Sequence, residues 1–126
     1  MSRRAQRLIF GAACLVALAG PAFADRYPIS GSWGISKWAD KGTIDCANLR
    51  VITFSGEERT DSKGGVPGYR NNWIRREDGG RYRVSDSFSN GQVHNGQVFY
   101  QLRVLDPDRL EMILDRGGTL RLQRCQ

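Results

Sequence analysis

The sequence predicts a small all-β domain, an antiparallel up-and-down β-barrel or sandwich of about seven to eight short strands. Three observations carry that expectation. Apolar and polar residues alternate with period two over much of residues 81–122. No segment sustains a helical period. Glycine, at 15 residues, punctuates the chain at short intervals, as tight turns between strands require.

Residues 1–24 stand apart. Arg3, Arg4 and Arg7 precede an apolar run over residues 8–20, and Ala22-Phe23-Ala24 follows as a small-x-small cleavage site. This is the three-part pattern of a secretory signal peptide, and the run is too short for a permanent membrane span. Cys14 lacks the preceding large aliphatic residue of a lipoprotein signal, and Gln6 interrupts a twin-arginine pattern. The expectation is a bacterial protein cleaved before Asp25 and delivered to the periplasm or medium, with residues 25–126 as one β-barrel domain. The net charge of +6 falls to +3 once the three signal arginines are removed. So mild an excess argues against a nucleic-acid partner. The remaining cations are mostly arginine, the residue that recognises carboxylate and phosphate bidentately.

Cys46 and Cys125 are the two cysteines left after cleavage. In an oxidising compartment they are expected to form one disulfide. Closing a loop of about 80 residues contributes about 4.5 kcal/mol in the chain-entropy model. Such a bond would tie the last strand to an early one.

The strands read in order as follows. The segment from Gly31 to Trp38 sets Trp33 and Ile35 on one face. The segment from Leu49 to Phe54 is apolar on both faces, and residues 60–68 read as a loop. Asp78-Gly79 is a two-residue turn signal. It would pair Arg76 with Arg81, Arg75 with Tyr82, Ile74 with Arg83 and Trp73 with Val84. Trp73, Tyr82 and Val84 then form the core face, while Arg76, Arg81, Arg83 and Ile74 lie outside. Asn90-Gly91-Gln92-Val93 recurs as Asn95-Gly96-Gln97-Val98, so one Asn-Gly pair is expected to cap a hairpin and the other to form a bulge or tip. Strands around Val98–Val104, Leu110–Leu114 and Leu120–Leu122 form a meander. Pairing Val104 with Leu110 and Leu114 with Leu120 keeps their apolar sets on one face.

No active site is legible. His94 sits in the Asn-Gly tip, where a solvated surface role is expected. Ser85-Asp86-Ser87 lacks a nucleophile-elbow context. Asp106-Pro107-Asp108 reads as turn chemistry, and no zinc or calcium spacing occurs. The expectation is therefore no enzyme, no metal and no cofactor. A binding module remains, recognising an anionic or apolar envelope ligand or a protein partner. Arg76, Arg81 and Arg83 are its expected anionic contacts, and Trp38, ending its strand, the expected contact at a barrel mouth.

Gly31-Ser32-Trp33-Gly34-Ile35-Ser36 opens the first strand with Gly-x-Trp. This opening resembles that of the lipocalins and their calycin relatives, and within them the bacterial periplasmic inhibitors of secreted metalloproteases. The resemblance implies an eight-stranded barrel whose N-terminal segment, here residues 25–30, enters a protease cleft. Protease inhibition through that segment is the alternative function. The inhibitors are similar in carrying one disulfide, but theirs is short-range near the first strands, whereas Cys46 and Cys125 are far apart in this chain.

Overall fold

A computed structural model describes residues 27–126; the signal-peptide expectation lies outside the described residues. Eight strands pair in sequence order and close into an antiparallel barrel. They are β1 (Gly31–Ile35), β2 (Val51–Ser55), β3 (Glu58–Asp61), β4 (Tyr69–Glu77), β5 (Arg81–Phe88), β6 (Gly96–Asp106), β7 (Arg109–Leu114) and β8 (Thr119–Arg124). Closure comes from β1 on β8, with Trp33 opposite Arg124 and Ile35 opposite Leu122. The up-and-down order gathers three short turns at one end, the base: residues 56–57, 78–80 and 107–108. The longer connections 36–50, 62–68, 89–95 and 115–118 emerge at the other end, the mouth.

Inward positions follow the alternation. Trp33, Ile52, Phe54, Val84, Leu102, Leu110 and Leu122 are buried and fill the interior. Side chains fill much of a barrel of this strand number, so a vacancy inside it needs a local cause. Tyr27 packs into the base. Its amide donates to the Gly56 carbonyl at 3.3 Å, and its ring meets Phe54 edge-on.

The β4–β5 hairpin departs from the sequence expectation. Its turn has three residues, Asp78 to Gly80, with φ of +73° at both Gly79 and Gly80. Arg76 therefore faces Tyr82, Arg75 faces Arg83 and Trp73 faces Ser85. A one-residue shift exchanges the two faces of a strand. Trp73 is consequently 40 % exposed on the outer wall and is not in the core. Ile74 turns inward, and Arg76 shares its side of β4 at the base rim, parted from Arg81 and Arg83. A bulge at Asn72 and Trp73 then restores the other register, so that Asn71 opposes Asp86 on the inner face.

Elsewhere the differences are smaller. Met112, rather than Leu114, opposes Leu120. A shift of two residues leaves every side chain on its expected face. Thr60 and Asp61 belong to β3 rather than to a loop. Both Asn-Gly pairs fall at one connection: the Asn90 carboxamide oxygen accepts from the amides of Gln92 and Val93, and Asn95 precedes β6 with φ of +57°.

Cys46 and Cys125 form the expected disulfide, with Cα atoms 5.6 Å apart. It fastens the connection 36–50 to the outside of the barrel. Buried Gln123 holds the same connection, donating to the carbonyls of Asp40 and Gly42 and accepting from Ser36 Oγ at 2.7 Å. Gly34 permits the close approach, because a Cβ there would lie 2.7 Å from Cys46 Sγ. No helix of the described residues is long and apolar enough to cross a membrane.

Candidate functional site

A polar cluster is built into the middle of this otherwise apolar interior. Asp86 is fully buried on the inner face of β5. Its Oδ2 accepts from Tyr100 Oη at 2.6 Å and from Arg59 Nε at 2.8 Å. Its Oδ1 accepts from Tyr27 Oη at 2.9 Å and from Asn71 Nδ2 at 3.1 Å. Four donors saturate a carboxylate. Burial, and then the Asp86 charge, push the Tyr27 phenol well up, and burial chiefly does the same for Tyr100. Both therefore stay neutral and donate. Asn71 Nδ2 also reaches the carbonyls of Trp73 and Ser85, while its Oδ1 is buried without a partner.

Arg59 is the unusual member. Only 3 % of the residue is exposed, yet of its five N–H donors the described residues engage Nε alone. Its guanidinium lies over the Tyr69 ring at 3.8 Å and near the Tyr100 ring at 5.0 Å. Burial weighs against its charge, but the neighbouring groups, among them the Asp86 carboxylate by charge and hydrogen bond, outweigh burial and hold its pKa above the ordinary value. The terminal nitrogens have no acceptor among the described residues. They are not sealed away either, because Arg59 borders two clefts.

The larger cleft is the mouth of the barrel, a cavity of about 540 Å³. Arg59, Tyr69 and Tyr100 lie along its inner part. One wall carries Val98, Met112, Leu114 and Leu120; the other carries the Arg50–Asp61 ion pair. That pair is bidentate, at 3.0 and 2.7 Å. Burial works against the Asp61 charge, but the Arg50 hydrogen bond outweighs it and holds Asp61 below the usual carboxylate value. A second cleft of about 420 Å³ reaches Arg59 and Tyr69 from the side of β3 and β4. The register explains that opening, since only two residue pairs join those strands. The mouth thus offers buried cationic donors beside an aliphatic wall, an arrangement suited to holding a molecule with one anionic end.

The residues singled out from sequence lie elsewhere. Trp38 is half-buried outside the barrel and does not border the mouth cavity. Its Nε1 donates to the Leu122 carbonyl at 3.1 Å, between the guanidiniums of Arg109 and Arg121. Its φ of +61° is strained for a non-glycine residue. Arg81 and Arg83 sit on the outer wall, Arg83 within 3.6 Å of Glu77, and Arg76 is separated from both. His94 is exposed in the connection 89–95.

Sequence reasoning missed Arg59, Asp86 and Tyr27. A signal for Asp86 was present: it continues the inward series Tyr82, Val84, Phe88, so alternation alone places an acid on the core face. Arg59 had no such signal, because Glu58-Arg59-Thr60-Asp61 contains no apolar residue. No protein-family model, curated protein or solved structure matches the chain.

Proposed function

We propose that the chain is an exported, non-enzymatic binding barrel of the cell envelope, lipocalin-like in architecture, that takes up a small amphiphilic carboxylate at its mouth. The observation that carries this reading is Arg59: a buried guanidinium on a cavity wall, with its terminal nitrogens unused by the described residues. A carboxylate would meet those nitrogens side-on and bidentately, and an apolar body would lie against Val98, Met112, Leu114 and Leu120. Tyr69 and Asp86 already fix the guanidinium, so little ordering remains to oppose binding. The Gly31-x-Trp33 opening of β1 and the closed eight-stranded barrel support the lipocalin-like reading.

The same cluster supports binding rather than turnover. Asp86 has its four acceptor sites filled and has no capacity left to take a proton from a substrate. Both described cysteines are joined to each other. The alternative, protease inhibition through residues 25–30, gains nothing from the position of Tyr27, which is buried in this chain's own barrel.

Titration calorimetry with decanoate, decanol and decylamine tests the proposal. Decanoate is expected to bind at least about tenfold more tightly than decanol, the difference of one charge-assisted hydrogen bond, and decylamine not at all. Leu114→Trp, which adds bulk to the apolar wall and leaves Arg59 itself unchanged, is expected to abolish decanoate binding. Equal affinity for all three, or undiminished binding to Leu114→Trp, would overturn the reading.

A further inference from the structure

The outer wall of β4, β5 and β6 carries a second feature, independent of the cavity. Arg75 stands directly opposite Arg83, and Arg81 directly opposite Arg103. Like charges in directly opposed positions destabilise a sheet. The available counter-charges are few. Glu77 lies 3.6 Å from Arg83 and Glu111 lies 2.8 Å from Arg103; Arg81 faces Glu77 across the strand pair without an ion-pair contact, and Arg75 has no acidic contact among the described residues. The next row toward the mouth is aromatic. Trp73 and Phe99 are each 40 % exposed, with ring centroids 6.4 Å apart, and the Arg75 guanidinium lies 5.5 Å from the Trp73 ring. The three-residue turn, which sets Trp73 opposite Ser85, is what leaves that indole outside.

We propose that this wall docks on an anionic membrane surface, with Arg75, Arg81, Arg83 and Arg103 on lipid phosphates and Trp73 and Phe99 at headgroup depth. The shape favours a lipid surface over a polymer chain, because the outside of a barrel is convex and these residues form a raised patch, not a groove. Arginine matches phosphate bidentately, and exposed aromatic rings prefer the membrane–water boundary. Phe99 also borders the mouth cavity, so docking would bring the cavity rim to the lipid.

The experiment uses the mature, oxidised protein and two kinds of vesicle: phosphatidylcholine alone, and phosphatidylcholine with phosphatidylglycerol in equal parts. Sedimentation should show binding to the mixed vesicles, weakened by salt, and little to the neutral ones. Arg75→Gln with Arg81→Gln should weaken binding about 25-fold, roughly fivefold for each arginine near an anionic surface. The same change should leave the midpoint of thermal unfolding unchanged or raised, since it removes like-charge repulsion. Trp73→Ser should remove the blue shift of tryptophan emission on binding. The cavity-wall variant Leu114→Trp should bind vesicles normally, which separates failure here from failure of the cavity reading. Vesicle binding that ignores phosphatidylglycerol, or survives Arg75→Gln with Arg81→Gln, would overturn the proposal. So would binding of soluble polygalacturonate with the same arginine dependence in the absence of vesicle binding, which would make the partner an acidic polysaccharide.

Discussion

The two ends of the barrel each hold an arginine against an aromatic ring, and they use it differently. At the base, the Arg124 guanidinium lies 4.4 Å from the Trp33 ring. Its Nη1 donates to the Ser30 carbonyl and its Nε to the Pro107 carbonyl, both at 3.1 Å, and Asp108 lies 3.4 Å away. Those contacts join the entering chain, the β6–β7 turn and the end of β8. In the interior toward the mouth, Arg59 stacks on Tyr69 even more closely, but among the described residues only its Nε is engaged. An arginine on an aromatic face is therefore a fastener where backbone carbonyls take its protons, and under the proposed function it is a receptor where the described residues do not. Tyr27 packs into the base, which keeps a smaller cleft of about 370 Å³ beside Trp33 and Arg124, against about 540 Å³ at the mouth.

The contrast can be broken from the base first. Cys46→Ala with Cys125→Ala releases the connection 36–50 from the end of the chain. This is expected to lower stability by about 4.5 kcal/mol if the loop-entropy account holds. Urea unfolding of the oxidised and substituted proteins measures it, and a difference below about 1 kcal/mol would mean that Gln123 holds the connection without the bond.

A paired experiment on the two arginine systems comes next. Asp86→Ala strands the buried Arg59 charge and is expected to cost about 3–5 kcal/mol. Arg124→Met is expected to cost about 1–2 kcal/mol, because its guanidinium is partly solvated and its loss leaves no buried charge behind. The sharper readout is ligand affinity: Arg124→Met should leave decanoate binding untouched, while Arg59→Lys should weaken it. One ammonium cannot serve Asp86 and a carboxylate in the same planar geometry. Equal losses of affinity in the two variants would erase the distinction between the ends.

The smallest effect concerns acid. Asp61 has its folded pKa held below the ordinary value by Arg50. A depressed carboxylate contributes stability that is fully present above its unfolded pKa, about 3.9, and is lost as pH falls through the lower folded value. Asp61→Asn should therefore reduce stability slightly near neutrality and flatten the acid limb of the stability profile below about pH 4. An unchanged acid limb would show that the rim ion pair is uncoupled from folding.

Legibility from sequence varied along the chain for identifiable reasons. The meander β6–β7–β8 was readable because its turns are short and its inward residues, from Val98 to Leu122, are nearly all apolar. The β4–β5 hairpin was readable as a hairpin but not in register. Asp78-Gly79-Gly80 can turn in two residues or three, and the choice reverses both faces. Strand β3 was invisible because its inward residues, Arg59 and Asp61, are charged, and alternation of polar with polar carries no signal. Trp73 illustrates the cost of that ambiguity: one added turn residue moves an indole from the core to the outer wall.

By itself, the sequence determined the all-β class, the antiparallel up-and-down order and the cysteine pair, because those follow from local alternation, short turns and a count of two. It determined the outward position of Arg81 and Arg83 as well, since neighbours of inward Tyr82 and Val84 must face away. Tertiary structure alone decided that Arg59 and Asp86, 27 residues apart, are buried against each other, and that Tyr27 and Tyr100 complete the cluster. A charged side chain is compatible with burial only when its partners are in place. Here the partners come from the entering segment and from β3, β4, β5 and β6, which only the packing of the closed barrel brings together.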